Sequence, residues 1–302
     1  MSLTISEDNP FQVLITETNN DVAELQSRYE KHRTTRNEQQ RDKTLREDFP
    51  GWTVDNILTR LDGAAKEEGF LDPRNCLVIW ARPPSHICDL ISAVQTELKA
   101  VAPSLWLMPL ENMHTTVLEV AHSLTEAQIE DLVQTLKSST KITQAQIAEH
   151  PLSHRSRLLK PMVSFDSSAM ALSFAPAAGE ASTVQSHGHD HQYTYHHLRR
   201  DIFEKVRQTG IPVASRYIVP SAHITIARFI TQEGFQVTGK DSSVQVDHSR
   251  VKLLVDKITD INERMKSMYW PQPDGTQPEE GEWVVGQNKL VIRRDDFGME
   301  EN

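Results

Sequence analysis

Trp106-Leu107-Met108-Pro109-Leu110-Glu111-Asn112-Met113-His114-Thr115-Thr116-Val117 organises this chain, because its last four residues return in the other half as His223-Ile224-Thr225-Ile226. Both quartets have the form His-x-Thr-apolar, and both open an apolar run that reads as a β-strand. In a strand, residues i and i+2 point to one face. His114 and Thr116 therefore present an imidazole and a hydroxyl side by side while Val117 turns to the core; His223, Thr225 and Ile226 repeat the arrangement. Each motif follows a proline turn, at Pro109 in the first case and Pro220 in the second. A lone histidine on a strand is more often structural than catalytic; two copies, one per half, reverse that.

Working outward, Cys76–Ala81 is a buried strand ended by Pro83-Pro84. A helix over about 85–100 carries Ile87, Leu90, Ile91, Val94 and Leu98 at helical spacing. Leu105–Met108 and His114–Val120 read as strands joined by the turn at Pro109. Thr125 then caps a helix with Gln128 as its capping-box partner. The second half has a hairpin of 161–166 with 169–175 and a helix at about 195–208. Strands near 214–218 and 223–229 and a helix at about 249–267 follow. Glu282–Val285 and Lys289–Arg293 read as a final hairpin around Gly286-Gln287-Asn288. Two halves that each mix strands with helices imply an α+β protein with two lobes.

Residues 1–70 read as a helical extension packed on the domain formed by 71–302. Within it, 20–48 is a polar helix with a thin apolar stripe at Val22, Leu25, Tyr29 and Leu45, and 53–66 is a second helix. Arg33 and Arg36 on the first are candidates to face the site. The stretch 178–193 lacks apolar periodicity and reads as a surface loop.

With 302 residues, 38% hydrophobic and 25% charged, the composition is that of an ordinary globular protein. The two cysteines, Cys76 and Cys88, fit neither a disulfide framework nor a zinc spacing and read as inert thiols. No run is apolar and long enough to cross a bilayer, and the N-terminus is no signal peptide, so a cytoplasmic or nuclear location is expected. A net charge of −10 argues against a grip on duplex nucleic acid. Yet 155–228 holds nine basic residues against five acidic ones, a locally basic cleft suited to a small anion.

Paired histidines suit phosphoryl transfer by proton shuttling. Histidine is the side chain that sits between its two forms near neutrality. With one on each side of a phosphorus atom, one accepts the proton of the attacking water and the other protonates the leaving oxygen. Threonine hydroxyls can hold the non-bridging oxygens.

These residues resemble the two-histidine phosphoesterase superfamily, which includes 2′-5′ RNA ligase-like proteins and cyclic nucleotide phosphodiesterases. Trp106 through Thr116 is similar to the family's approach to its first motif, and His223-Ile224-Thr225-Ile226-Ala227-Arg228 to its second. Asp72-Pro73-Arg74-Asn75-Cys76 and Ser215-Arg216-Tyr217 further resemble largely uncharacterised fungal members. The resemblance implies a bilobal fold of two pseudo-symmetric, mixed or antiparallel sheet lobes, flanked by helices, with one motif from each facing a central cleft. It implies cofactor-free and metal-independent hydrolysis of cyclic phosphates, typically 2′,3′-cyclic phosphates opening to 2′-phosphates. His114 and His223 carry over as the catalytic pair and Thr116 and Thr225 as phosphate ligands. The expected partner is a nucleotide or a short RNA end, taken by a monomer with no membrane attachment. The loop insertion 178–193 and the N-terminal extension exceed a compact member, which leaves the substrate open.

Further candidates surround the motifs. Arg228 is read as lying on the face of His223 and Thr225, to bind phosphate or form a surface ion pair. Arg216 and Tyr217 precede the second motif, and Tyr217 could stack on a base. Tyr195 and His197 open a helix and are candidates to border the cleft. His187, His189 and His191 alternate as zinc ligands can, but in a glycine-containing loop they read as an adventitious metal catch. The alternative function is a nucleotide-binding module with the same cleft and little turnover.

Overall fold

In the computed structural model, which describes residues 5–6, 8–181, 192–215, 217–239, 242–272, 274–275 and 278–294, the apolar run from Cys76 is strand β1 (Asn75–Ala81). Three helices precede it, α1 (Pro10–Glu17), α2 (Val22–Thr44) and α3 (Asn56–Leu61). The first half continues with α4 (Ser85–Val101), β2 (Trp106–Leu107), β3 (Thr115–Leu124) and α5 (Glu126–Ser138). Short helices α6 (Gln144–Ala148) and α7 (His150–Ser153) lead to β4 (Ser156–Phe165), β5 (Ala169–Pro176), α8 (Tyr195–Gln208) and β6 (Ala222–Arg228). The chain ends with β7 (Gln236–Thr238), β8 (Val244–Val246), α9 (His248–Tyr269), β9 (Trp283–Val285) and β10 (Val291–Arg293). This is an α+β protein.

One eight-stranded sheet carries the fold, in the order β10-β1-β3-β6-β5-β4-β9, with β2 also on β6; β7 and β8 form a separate ribbon. The described pairs are all antiparallel. The two halves are thus continuous, joined where Thr115 pairs with Ile224. The final hairpin expected from the sequence does not form: β9 pairs with β4 and β10 with β1, at opposite edges. Only residues 286–290 connect them, a span of roughly 20 Å at full stretch. Seven strands laid flat would separate the edges by roughly 29 Å, so the sheet curls until its edges approach. Gly286 makes this connection possible, with φ at +112° and Pro151 O only 2.2 Å from where a Cβ would sit.

One face of the sheet holds the main core, including Leu77, Ile79, Val117, Leu172, Phe174, Ile224 and Ile226 under α4, α8 and α9. On the other face of β1, Cys76, Val78 and Trp80 form a small separate cluster with Val291. The α5 capping box is present as expected.

Two further expectations need correction. The helix over 53–66 is only six residues long, because Asp62 is extended and Gly63 sits at φ +92°. Among the described residues of 214–218 no strand forms: Ala214 N–H reaches Val120 O alone, and the buried Arg199 takes the Tyr217 carbonyl that a ladder would need. The N-terminal segment packs against the sheet and its helices. Leu25 and Tyr29 of α2 are buried, and Trp52 stacks on Phe229 at 4.2 Å.

The outer edge of β4 beyond its pairing with β9 is covered by side chains. Asn37 of α2 accepts from Phe165 N and donates to Val163 O. Asn262 of α9 accepts from Val163 N and donates to the same carbonyl. The two amides replace a missing strand and block a surface that would otherwise invite another chain. Cys76 is a buried and Cys88 a half-buried free thiol, the latter's pKa raised by burial. Among the described residues no helix is long and apolar enough to cross a membrane.

Candidate functional site

β2 and β3 run in line along the same edge of β6, interrupted by an excursion at Pro109–Met113 that contains one turn of 3-10 helix. Trp106 pairs with Arg228, and after the excursion Thr115 pairs with Ile224. Carrying that register one residue either way sets Thr116 opposite His223 and His114 opposite Thr225. Residues paired across an antiparallel ladder share a face. The burial pattern agrees: Thr115, Val117, Ile224 and Ile226 are buried, while His114, Thr116, His223 and Thr225 are half-buried on the face away from the main core. The fold therefore assembles two imidazoles and two hydroxyls as one diagonal square. Among the described residues no hydrogen bond engages either threonine hydroxyl.

Each imidazole is oriented through Nδ1. His114 Nδ1 lies 2.7 Å from the Asn112 carbonyl, which can only accept, so Nδ1 carries the proton and Nε2 is left for chemistry. His223 Nδ1 lies 3.0 Å from Ser221 Oγ. Burial pushes the His114 pKa down to about 4, against the hydrogen bond to Asn112 and together with the charges of Arg82, His223 and Arg293. His223 is pushed down to about 4 as well, first by burial and then by Arg199 and Arg228, with Asp166 opposing and His32 adding to the depression.

Arg228 does face the site, but through a device that alternation alone does not contain. Ala171 pairs with Thr225 and Met170 with Ala227, so Ile226 is an extra residue in β6. This bulge shifts the alternation by one and returns Arg228 to the face of Thr225, where it also meets Asp55 at 3.5 Å. Tyr217 stands at the rim, 45% exposed, its ring 6.0 Å from that of His223. Arg199 of α8 holds this segment by donating to the carbonyls of Val117, Val219 and Tyr217.

Two candidates do not reach the sheet face that carries the motifs. Tyr195 is fully buried and donates to Thr116 O from behind the sheet. His197 is buried in the cap of α8, bonded to Thr194 and to Asn20. Both lie in the first turn of α8, whose inward side is the core. Arg33 is likewise buried, donating to Lys160 O and Ser173 O. Arg36 is exposed and acts on His32, half-buried beside it on α2. Arg216 and the histidines 187, 189 and 191 lie outside the described residues. Among the described residues no group of three or more His, Cys, Asp or Glu side chains is placed to hold a metal ion.

Trp80, Arg82 and Arg293 were not singled out by the sequence. Trp80 stacks on His114 with ring centroids 3.6 Å apart and planes at 14°, and the two guanidiniums lie 5.3 and 5.5 Å from the Trp80 ring. In sequence Trp80 is simply one more apolar residue of a buried strand; only its pairing with Thr116 brings it under the first motif.

No family model matches this chain, and no curated protein matches it. Among solved structures it is similar to a conserved protein of unknown function from Agrobacterium tumefaciens, at 11% identity and a TM-score of 0.38, over 71% of this chain and 88% of that one. So distant a likeness carries neither fold nor function.

Proposed function

We propose that this protein is a phosphoesterase of the two-histidine type, its sheet being the joined pair of lobes that such a fold requires. In this reading it opens a 2′,3′-cyclic or related cyclic phosphate of a nucleotide or RNA end, giving a 2′-phosphate. The observation that carries the reading is the Thr115–Ile224 pairing, which sets both His-x-Thr motifs side by side on one open face. One imidazole takes a proton from water as its oxygen bonds to phosphorus. The P–O3′ bond breaks, and the other imidazole protonates that oxygen. Thr116 and Thr225 hold the non-bridging oxygens, and Arg228 adds positive charge. No step requires a metal.

A second reading has one observation in its favour. Both imidazoles are pushed to about 4, so at neutral pH the free cleft holds no ready proton donor. A nucleotide-binding module would fit that state as it stands. For the enzyme, the bound phosphate must supply the negative charge that recharges one histidine.

The test is incubation with the four nucleoside 2′,3′-cyclic phosphates in EDTA across pH 5–9, beside His114→Ala and His223→Ala. A bell-shaped kcat profile at saturating substrate, where bound phosphate has recharged one histidine, is expected, lost in both variants by about 100- to 10,000-fold. Nucleotide binding without turnover of any of the four would favour the binding module.

A further inference from the structure

The two motif strands have neighbours at matching positions, and there the halves differ. Across from Thr116, β1 places Trp80; across from Thr225, β5 places Ala171. His114 therefore lies flat against a fully buried indole, 3.6 Å away, whereas the ring nearest His223 is Tyr217, at 6.0 Å and tilted by 46°. The hydrogen bonds at Nδ1 differ as well. The Asn112 carbonyl forces the proton of neutral His114 onto Nδ1, leaving a lone pair on Nε2. The Ser221 hydroxyl can donate to His223 Nδ1 or accept from it, so this bond serves the neutral and the charged ring alike.

The charges around the two rings also divide. His114 feels the cations Arg82 and Arg293 and its partner His223. His223 feels Arg199, Arg228 and His32, and in addition the carboxylate of Asp166.

The geometry points to a division of labour: Trp80 is a positioning residue that makes His114 the proton acceptor of the pair and leaves His223 as the donor. This rests on the phosphoesterase reading above. An acceptor must be uncharged before the reaction and charged in the transition state. A flat indole face attracts the imidazolium as it forms, and the stack together with the Asn112 carbonyl fixes where Nε2 points. A donor must start charged; on the His223 side Asp166 favours this against burial, Arg199 and Arg228, and the bound phosphate supplies the remaining negative charge. Nε2 of His114 then takes the proton of water as the new P–O bond forms, and Nε2 of His223 gives its proton to the oxygen released from phosphorus.

The experiment compares Trp80→Leu, which keeps an apolar side chain but removes the π face, with Trp80→Phe, which keeps a ring. The His114 ring proton is titrated by NMR, and kcat/KM is followed against pH. In Trp80→Leu the His114 midpoint is expected to fall, the acidic limb of the profile to move to lower pH, and plateau kcat to drop about three- to thirtyfold. Trp80→Phe is expected to recover most of each change. A folded Trp80→Leu protein with an unchanged His114 midpoint overturns the proposal, as does movement of the basic limb instead, which would make His114 the donor. The NMR arm needs no turnover, so failure on cyclic phosphates counts against the phosphodiesterase reading, while an unmoved midpoint counts against Trp80.

Discussion

Three histidines, His196 buried and His114 and His223 half-buried, give this protein a definite response to acid. Burial pushes His114 and His223 down to about 4 and His196 to about 3. His196 is locked neutral between neighbours: its Nε2 meets the Phe11 carbonyl at 2.9 Å and its Nδ1 meets Tyr29 Oη at 2.8 Å. Each ring binds its proton less readily folded than unfolded, so below the ordinary histidine value of 6.5 the unfolded chain holds more protons. Stability is therefore full above about pH 6.5 and declines as pH falls toward the folded values near 4 and 3. Unfolding free energies from urea titrations at pH 7.5 and 5.0 should differ by on the order of 6 kcal/mol, about 2 from each ring, and replacing His114 and His223 together with Ala should remove about two thirds of the decline. An equal slope in that double variant would place the titration elsewhere. At this scale the sequence was informative where a side chain acts through its type and its neighbours in strand, as His114, Thr116, His223 and Thr225 do. It was silent on Trp80, which acts through a pairing with a strand more than thirty residues away.

At the scale of elements, β4 shows how helices replace a strand. Its outer edge from Val163 to Phe165 is satisfied by Asn37 and Asn262, each amide both accepting from and donating to strand backbone. A buried backbone group left without a partner costs about 1–3 kcal/mol. Asn37→Ala and Asn262→Ala should each destabilise by about 1–2 kcal/mol, and the double variant should self-associate through the bared edge. Sedimentation of the double variant as an unchanged species, at a concentration where it remains folded, would show that the amides are dispensable. Helix α2 could be read from its stripe, and the Asp21 carboxylate caps it by accepting from Ala23 N and Glu24 N. Its destination could not, because a single half-buried asparagine carries no periodicity. The bulge at Ile226 is similar: Arg228 reaches the site face only through an extra residue that a period of two does not announce.

For the molecule as a whole, the N-terminal helices and the sheet are one folding unit. Phe11, Leu25 and Tyr29 are buried, Phe11 and Tyr29 clasp His196 of α8, and Trp52 packs on Phe229 beyond the end of β6. A chain beginning at residue 71 would expose all of these contacts at once. We expect it to lose its cooperative thermal transition, measured by near-ultraviolet circular dichroism; a sharp transition in that fragment would show that 71–302 folds without the N-terminal helices. What the sequence by itself determined is local: the helices of clear apolar period, the capping box at Thr125, the hairpin of β4 and β5, and the four motif side chains on alternating positions. Those depend on spacing within about ten residues, where geometry follows from the period of the element. The tertiary structure alone decided which strands meet. It sent β9 and β10 to opposite edges, curled the sheet so that five residues could join them, and ran β3 beside β6 so that two distant motifs share one face. Such pairings are chosen by how much apolar surface the whole sheet buries, and no short stretch of chain contains that sum.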